Sequence, residues 1–413
     1  MNIPKKIINN FLEYIIIALV VLESTSLYAN SNILPIGILS LLCISMGIYA
    51  IVNINKILII KKKKLIIYGI YLLYILIFMI INVNSSNRFN FFMKYIYIMS
   101  IFYFYINSIE DIKRFMKCYC NIIFVLCCVS LIIYFFGYIV KILPINYNVV
   151  LNWGNTKTVG SILNLHFIVQ TEEFLGKTIV RNTGVFCEAP MYMLNLILCL
   201  TLDLFCNKKG RLHEIVLIIG IVTTISSTGY ILLITLILLY FSYSQKMKIK
   251  FLILPIILII AIFMIFNIVE NKMYTRSYSV RFDDYIVSIE SWKRNIVFGN
   301  GYRNNEIFED NVSSFRSTNK GQSSSIGAVL VQGGAYLLLL YIFSFISIYN
   351  FDRNGKYLSA IYIILFFTTV FQYTALELFI ISISINLKNL SSNRKNAVGT
   401  KSMYFNIRSK YES

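Results

Sequence analysis

Two arginines and one glutamate hold the side-chain types needed to bind a phosphorylated ligand. In "RNTGVFCEAPMYMLN", Arg181 to Asn195, Arg181 and Glu188 flank the start of a long apolar run. A guanidinium grips phosphate through parallel N–H donors, and a carboxylate beside it either orients the arginine or takes a proton. Gly184 permits a tight turn, and Pro190 suits the first turn of a helix. The plainer alternative for Arg181 is an interfacial side chain snorkelling to headgroups. A second stretch, "SVRFDDYIVSIESWKRN", carries Arg281 with Asp283 and Asp284 just behind it. Arg276, Lys293, Arg294, Arg303, Arg316 and Lys320 populate the same segment, where acids nearly match the bases. Specific arginines, rather than a general anionic-ligand surface, are therefore the candidates.

Other chemistries find no support in the chain. GxxxxGK[ST], HExxH and GxSxG are all missing. The eight cysteines mostly lie inside apolar runs, and no Cys/His set has ligand spacing outside them. Asp283 and Asp284 are the nearest approach to a metal pair, but adjacent helical residues do not share a face. No metal and no cofactor is expected.

The elements that must position these residues are membrane helices. The 413-residue chain is 57% hydrophobic and 14% charged, with a mean hydropathy of +0.70. Apolar runs long enough to span a bilayer recur almost end to end. They fall at 8–28, 33–53, 65–82, 89–107, 118–140, 186–206, 212–227, 228–244, 251–269, 326–349, 357–372 and 373–387. The fold class expected is all-α, a polytopic integral membrane protein of about 12 transmembrane helices. The pairs within 213–243 and 357–387 are tight, and each is either two short helices or a re-entrant hairpin. With the N-terminus cytoplasmic, Lys and Arg concentrate in every inner segment, including Lys61–Lys64. The net charge of +19 is thus topological, and no nucleic acid is implied.

The expected organisation is five helices in 1–140, an outer loop at 141–184, and helices six to nine in 185–269. A large outer loop at 270–325, helices ten to twelve in 326–387 and a basic cytoplasmic tail at 388–413 complete it. Within the large loop, Phe282, Tyr285, Ile286, Ile289 and Trp292 trace one face of an amphipathic helix. That face either lies in the lipid interface or packs on the ends of the spans. Glu13, Glu23, Lys94, Asp203 and Glu377 are unusual charges within spans. Few lie at mid-depth, where ion-coupled carriers place their sites.

Three segments resemble the Wzy-type polymerases of O-antigen and capsular polysaccharide, within the wider O-antigen ligase superfamily. They are "RNTGVFCEAP", "RFDDYIVSIESWKRNIVFGNGY" and "GQSSSIGAVLVQGGAYLLLLY", which with the "SSTGY" turn occupy 181–345 in the family's order. The resemblance implies a glycosyltransferase that polymerises undecaprenyl-diphosphate-linked oligosaccharide at the outer face of a bacterial plasma membrane. Diphosphate is the leaving group, so no nucleotide is required. Arg181 and Arg281 would neutralise the departing diphosphate, while Glu188 orients Arg181 or deprotonates the acceptor. Arg276, Trp292, Arg303 and Gln322 are the candidate substrate contacts, with anchoring of the loop the favoured role for Trp292. Ligases of the superfamily carry a histidine where this chain has Gln322 and Ser323, which favours the polymerase. The alternatives are such a ligase or a lipid-linked oligosaccharide flippase. Partners implied are the lipid bilayer, a chain-length regulator and the flippase of the same pathway.

Overall fold

A computed structural model of the protein describes residues 5–31, 37–56, 62–106, 108–153, 155–174, 177–207, 209–244, 259, 262–267, 269–270, 273–316 and 320–387. The expected ninth span, 251–269, and the tail 388–413 lie largely or wholly outside these residues. The chain is predominantly helical. Helices α1 (Lys5–Glu23), α2 (Ile38–Val52) and α3 (Lys62–Asn82) come first. Next, α4 (Ser85–Phe91) continues through a π-helical stretch into α5 (Met99–Tyr105), and α6 (Ile109–Tyr134) follows. The rest are α7 (Ala189–Leu202), α8 (Arg211–Thr223), α9 (Ser227–Ser244), α10 (Arg276–Lys293), α11 (Glu306–Asn311), α12 (Ser325–Tyr349), α13 (Arg353–Thr368) and α14 (Ala375–Leu387).

Among the described residues, four helical segments are long and apolar enough to cross a membrane: Lys62–Asn82, Ile109–Ile139, Ala189–Asn207 and Ser325–Tyr349. Their surroundings differ in a way that lipid explains. The first exposes Ile66, Ile70, Leu73, Ile77, Ile80 and Ile81, a stripe at helical spacing with no protein over it. The third is 89% buried and forms the axis of the bundle, packed by α6, α8, α9 and α13. Each tight segment holds two short helices, α8 and α9 in the first and α13 and α14 in the second.

The segment 141–184 departs from the all-helical expectation. It folds into a three-stranded antiparallel sheet of β1 (Asn146–Trp153), β2 (Asn155–Ile162) and β3 (His166–Ile168). A hairpin of β4 (Thr171–Phe174) and β5 (Lys177–Val180) follows. The period-2 alternation and β-branched residues of "NYNVVLNW" and "NTKTVGSI" are the local cause. Asn152 N–H donates to Asn30 O (2.8 Å), tying this sheet to the turn after α1.

The amphipathic helix α10 is oriented with its polar face inward. Asp283, Asp284, Val287, Ser288 and Ser291 are buried, whereas Phe282, Ile286 and Ile289 are 58, 44 and 47% exposed. The polar face packs on α12, where Ser288 meets the Cβ-free side of Gly327. Arg316, expected among the loop's surface bases, is 1% exposed and bonds both Asp283 (Nη1 to Oδ2, 3.3 Å) and Asp284. Asp283 and Asp284 are adjacent on the helix, yet one long guanidinium reaches both. Burial pushes the Asp284 carboxyl above its ordinary range, opposed by hydrogen bonds from Ser323 and Arg316.

The outer segment is clamped to the bundle through a break in α12. Gly334 adopts φ 60°, ψ −166° inside the helix, which frees the amides that follow. Ala335 and Tyr336 N–H donate instead to Ile296 O (2.9 Å) and Val297 O (2.8 Å), and Asn300 N–H to Val331 O (2.7 Å). Asn82 on α3 closes the junction, its Nδ2 donating to Phe298 O (2.6 Å) and Gln332 O (2.7 Å). A Cβ on Gly334 would stand 2.4 Å from Val297 O, and one on Gly299 2.6 Å from Gln332 C. The "FGNG" turn and the glycine pair, 30-odd residues apart in sequence, are therefore one backbone-to-backbone joint.

Gly334→Ala is expected to destabilise the folded protein by on the order of 2–5 kcal/mol, combining overpacking with a positive φ. Arg316→Met, which leaves two buried carboxylates unpaired, is expected to cost about 3–5 kcal/mol. Thermal unfolding in detergent, with limited proteolysis of 294–324, measures both. A wild-type unfolding temperature in either variant contradicts the account.

Candidate functional site

Arg181 leaves β5 and is fixed at backbone and side chain. Its N–H donates to Gln170 O (3.0 Å), and its Nε to Thr224 O (2.9 Å) at the C-terminus of α8. The side chain is 13% exposed, and Nη1 lies 3.7 Å from Glu172 Oε2, whose carboxylate is half in solvent. Burial lowers the Arg181 pKa from its ordinary value; Glu172 and Glu188 oppose this, and the like charge of Arg281 adds to it. Arg281 belongs to α10, where its Nη1 donates to Thr368 O (2.8 Å) at the end of α13. Both carbonyls are among those a helix leaves without an internal partner at its C-terminus, the negative end of its dipole. Each arginine is thus held by the end of one member of a tight helix pair.

Glu188 precedes α7 in extended conformation and makes no capping bond of its own. Its Oε1 instead accepts from Trp153 Nε1 (3.1 Å) on β1, while Gln170 Oε1 accepts from Ala189 N–H (3.1 Å). Two guanidinium groups and a carboxylate, from three different segments, therefore act on one another at one end of the bundle. An anion bearing two negative charges is the ligand such a cluster stabilises best.

The turn that delivers Arg181 rests on Asn182, a residue to which the sequence assigned no role. Asn182 Oδ1 accepts from Ser130 Oγ (2.6 Å) and Gly184 N–H (3.1 Å), and faces His166 Nε2 at 3.0 Å. Its Nδ2 donates to Thr223 Oγ1 (3.0 Å). Gly184, with φ 53°, makes the bend. Trp153, Gln170, Glu172 and Asn182 were all missed in sequence. The hairpin signal of "NWGN" between alternating strands was the one cue to Trp153.

The remaining candidates have partners of their own or none assigned. Arg276, at the first turn of α10, is exposed, with Nη2 3.5 Å from Phe315 O. Trp292 lies about 16 Å along the helix from Arg281, and its Nε1 donates to Ile296 O (2.8 Å) to close the helix end. Arg303 is exposed at φ 58°, its amide donating to Gln332 Oε1 (3.2 Å) and its guanidinium 5.8 Å from the Tyr302 ring centre. Gln322 is half-buried, with its Nε2 lacking a partner among the described residues.

The ionisable groups inside helices have polar or charged partners. Lys94 forms an ion pair with Glu23 and donates to Tyr373 O (2.8 Å); Glu23 Oε2 also accepts from Ala375 N–H (2.6 Å). Glu377 Oε2 accepts from Tyr341 Oη (3.0 Å) and Tyr373 N–H (2.6 Å). Glu13 pairs with Arg114 Nε at 2.7 Å, and Asp203 with His213 Nδ1 at 2.5 Å. The two histidines do not meet.

Burial lowers the His166 pKa to about 4 from 6.5, so the folded protein holds the neutral imidazole. Its stabilising contribution is present above pH 6.5 and is lost as pH falls towards 4, about 3 kcal/mol in all. His166→Gln keeps a donor for Asn182 without titrating. The wild type is expected to lose more thermal stability than this variant between those pH values, and equal losses contradict the assignment. Compared with family models, curated proteins and solved structures, the chain matches none.

Proposed function

We propose that this protein is a polysaccharide polymerase that joins oligosaccharide repeat units carried on undecaprenyl diphosphate. The observation that carries the reading is that Arg181 lies within electrostatic reach of both Arg281 and Glu188, with each guanidinium fixed on a helix-terminal carbonyl. In this reading the two cations receive the negative charge that develops on the diphosphate as the glycosidic bond to it breaks. The sugar hydroxyl of a second lipid-linked unit attacks the anomeric carbon, its proton leaves to a base, and undecaprenyl diphosphate departs. Glu188, held by the Trp153 indole, keeps Arg181 oriented. In this reading Arg276, Trp292, Arg303 and Gln322 would meet the glycan or the lipid rather than the diphosphate.

The topology proposed with it has about twelve membrane passages, counting the tight pairs, with both termini cytoplasmic in a bacterial plasma membrane. The flippase of the pathway and a chain-length regulator are the partners this reading requires. Four apolar helices of spanning length and the lipid-facing stripe of α3 support a membrane setting.

Arg181→Ala and Arg281→Ala, at wild-type abundance, are each expected to lower polymer formation by roughly 10²–10³-fold, the range for removing one preorganised donor. Lysine at either position is expected to restore part of the activity, because it keeps charge but loses the two-pronged donor geometry. Glycan length on undecaprenyl diphosphate measures both. Full-length polymer in both alanine variants contradicts the site assignment.

A further inference from the structure

The far end of α7 carries a second cluster, which neither the resemblance nor the proposed reaction uses. Asp203 lies roughly 22 Å along the chain from Glu188 at helical rise. There the helix loosens into a π-helical stretch, Asp203–Asn207, a form common where a helix must re-aim a functional side chain. Cys199 and Asp203 of this helix face Cys120 of α6. The two sulfurs and a carboxylate oxygen lie within 4.8 Å of one another, and all three residues are buried. Cys199 Sγ is 3.9 Å from Asp203 Oδ2. His213 of α8 holds that same Oδ2 at 2.5 Å through Nδ1. The other oxygen, Asp203 Oδ1, is buried with no hydrogen-bond partner among the described residues.

A buried carboxylate with one free oxygen is costly unless a cation or donor completes it. We infer that Cys120, Cys199 and Asp203 are ligands for a divalent zinc ion. Two thiolates and a carboxylate suit a borderline-soft d¹⁰ ion better than magnesium or calcium, which take oxygen donors. A tetrahedral zinc with bonds of about 2.3 Å sets its sulfurs about 3.8 Å apart, so the cluster needs only about 1 Å of contraction. On binding, both thiols release their protons to solvent, and the site carries one net negative charge. Lys209, which hydrogen-bonds Asn121 next to Cys120, stands beside it to balance that charge. Asn207 Nδ2 points at Cys120 Sγ from 3.3 Å and supplies the N–H···S contact that a thiolate favours.

His213 is a positioning residue here. It grips Asp203 from outside the ligand set, the outer-partner arrangement that orients metal-binding carboxylates. The ion would cross-link α6 to α7 at the end of the bundle opposite the arginines. No metal was expected from the sequence because no Cys/His set has ligand spacing outside the apolar runs; Cys120 and Cys199 are 79 positions apart, and the packing of α6 on α7 joins them.

The test uses the full-length chain purified in detergent without chelator, with metal content measured by mass spectrometry and Co²⁺ titrated into the metal-stripped protein. About one zinc per chain and a thiolate-to-cobalt charge-transfer band are expected. Cys199→Ser removes both, whereas Cys128→Ser, on the α6 helix that bears Cys120 but outside the cluster, removes neither. His213→Ala weakens zinc affinity roughly 10–100-fold without abolishing it. Wild-type protein with neither bound zinc nor a cobalt–thiolate band overturns the assignment, as does a Cys120–Cys199 disulfide in place of metal. Full zinc occupancy in Cys199→Ser overturns it equally. If Cys199→Ser fails to fold, the wild-type cobalt titration decides.

Discussion

Two helix C-termini hold two positive charges near each other, and much of the molecule exists to make that possible. Thr224 O at the end of α8 and Thr368 O at the end of α13 each accept a bond from one arginine. Like charges in partly buried surroundings repel, and the orphan carbonyls at a helix end are what the backbone can offer against that repulsion. Each tight helix pair ends one of its members beside an arginine and so supplies one such carbonyl.

The second requirement is that the segment bearing Arg281 stay seated. It is held at both ends of α10. Arg316 draws Asp283 and Asp284 inward, and the broken helix at Gly334 accepts the turn around Gly299 as a replacement for its own lost hydrogen bonds. A consequence is that α10 turns its apolar face outward, with Phe282, Ile286 and Ile289 uncovered. In a soluble protein that orientation exposes hydrophobic surface to water. Beside a bilayer it gives the helix a lipid-facing side. The paired charges Lys94–Glu23 and Glu13–Arg114 serve the same end by tying α1 to α4–α6 without leaving a bare charge in the bundle.

Much of this was legible in the sequence at the level of segments. Hydropathy located most helices, the shortness of 213–243 and 357–387 announced the tight pairs, and residue chemistry singled out Arg181, Arg281 and Glu188. The amphipathic period of α10 was right, but its direction was not recoverable, because it depends on a guanidinium some thirty residues later. The sheet in 141–184 was not legible, because its period-2 pattern is short and lies between much longer apolar helical runs. Trp153, Asn182 and the Cys120–Cys199–Asp203 cluster had no local signal strong enough to name them. Each acquires its role from a contact between distant segments, and periodicity carries no information about such contacts.

The most direct test of the account is the length of glycan on undecaprenyl diphosphate, and at the cell surface, after deletion of the gene. The account predicts single repeat units that reach the outer face and never lengthen, with polymer restored by the wild-type chain. Long polymer stranded on the carrier contradicts it in favour of a ligase, and repeat units trapped on the cytoplasmic side in favour of a flippase. An unchanged glycan contradicts all three.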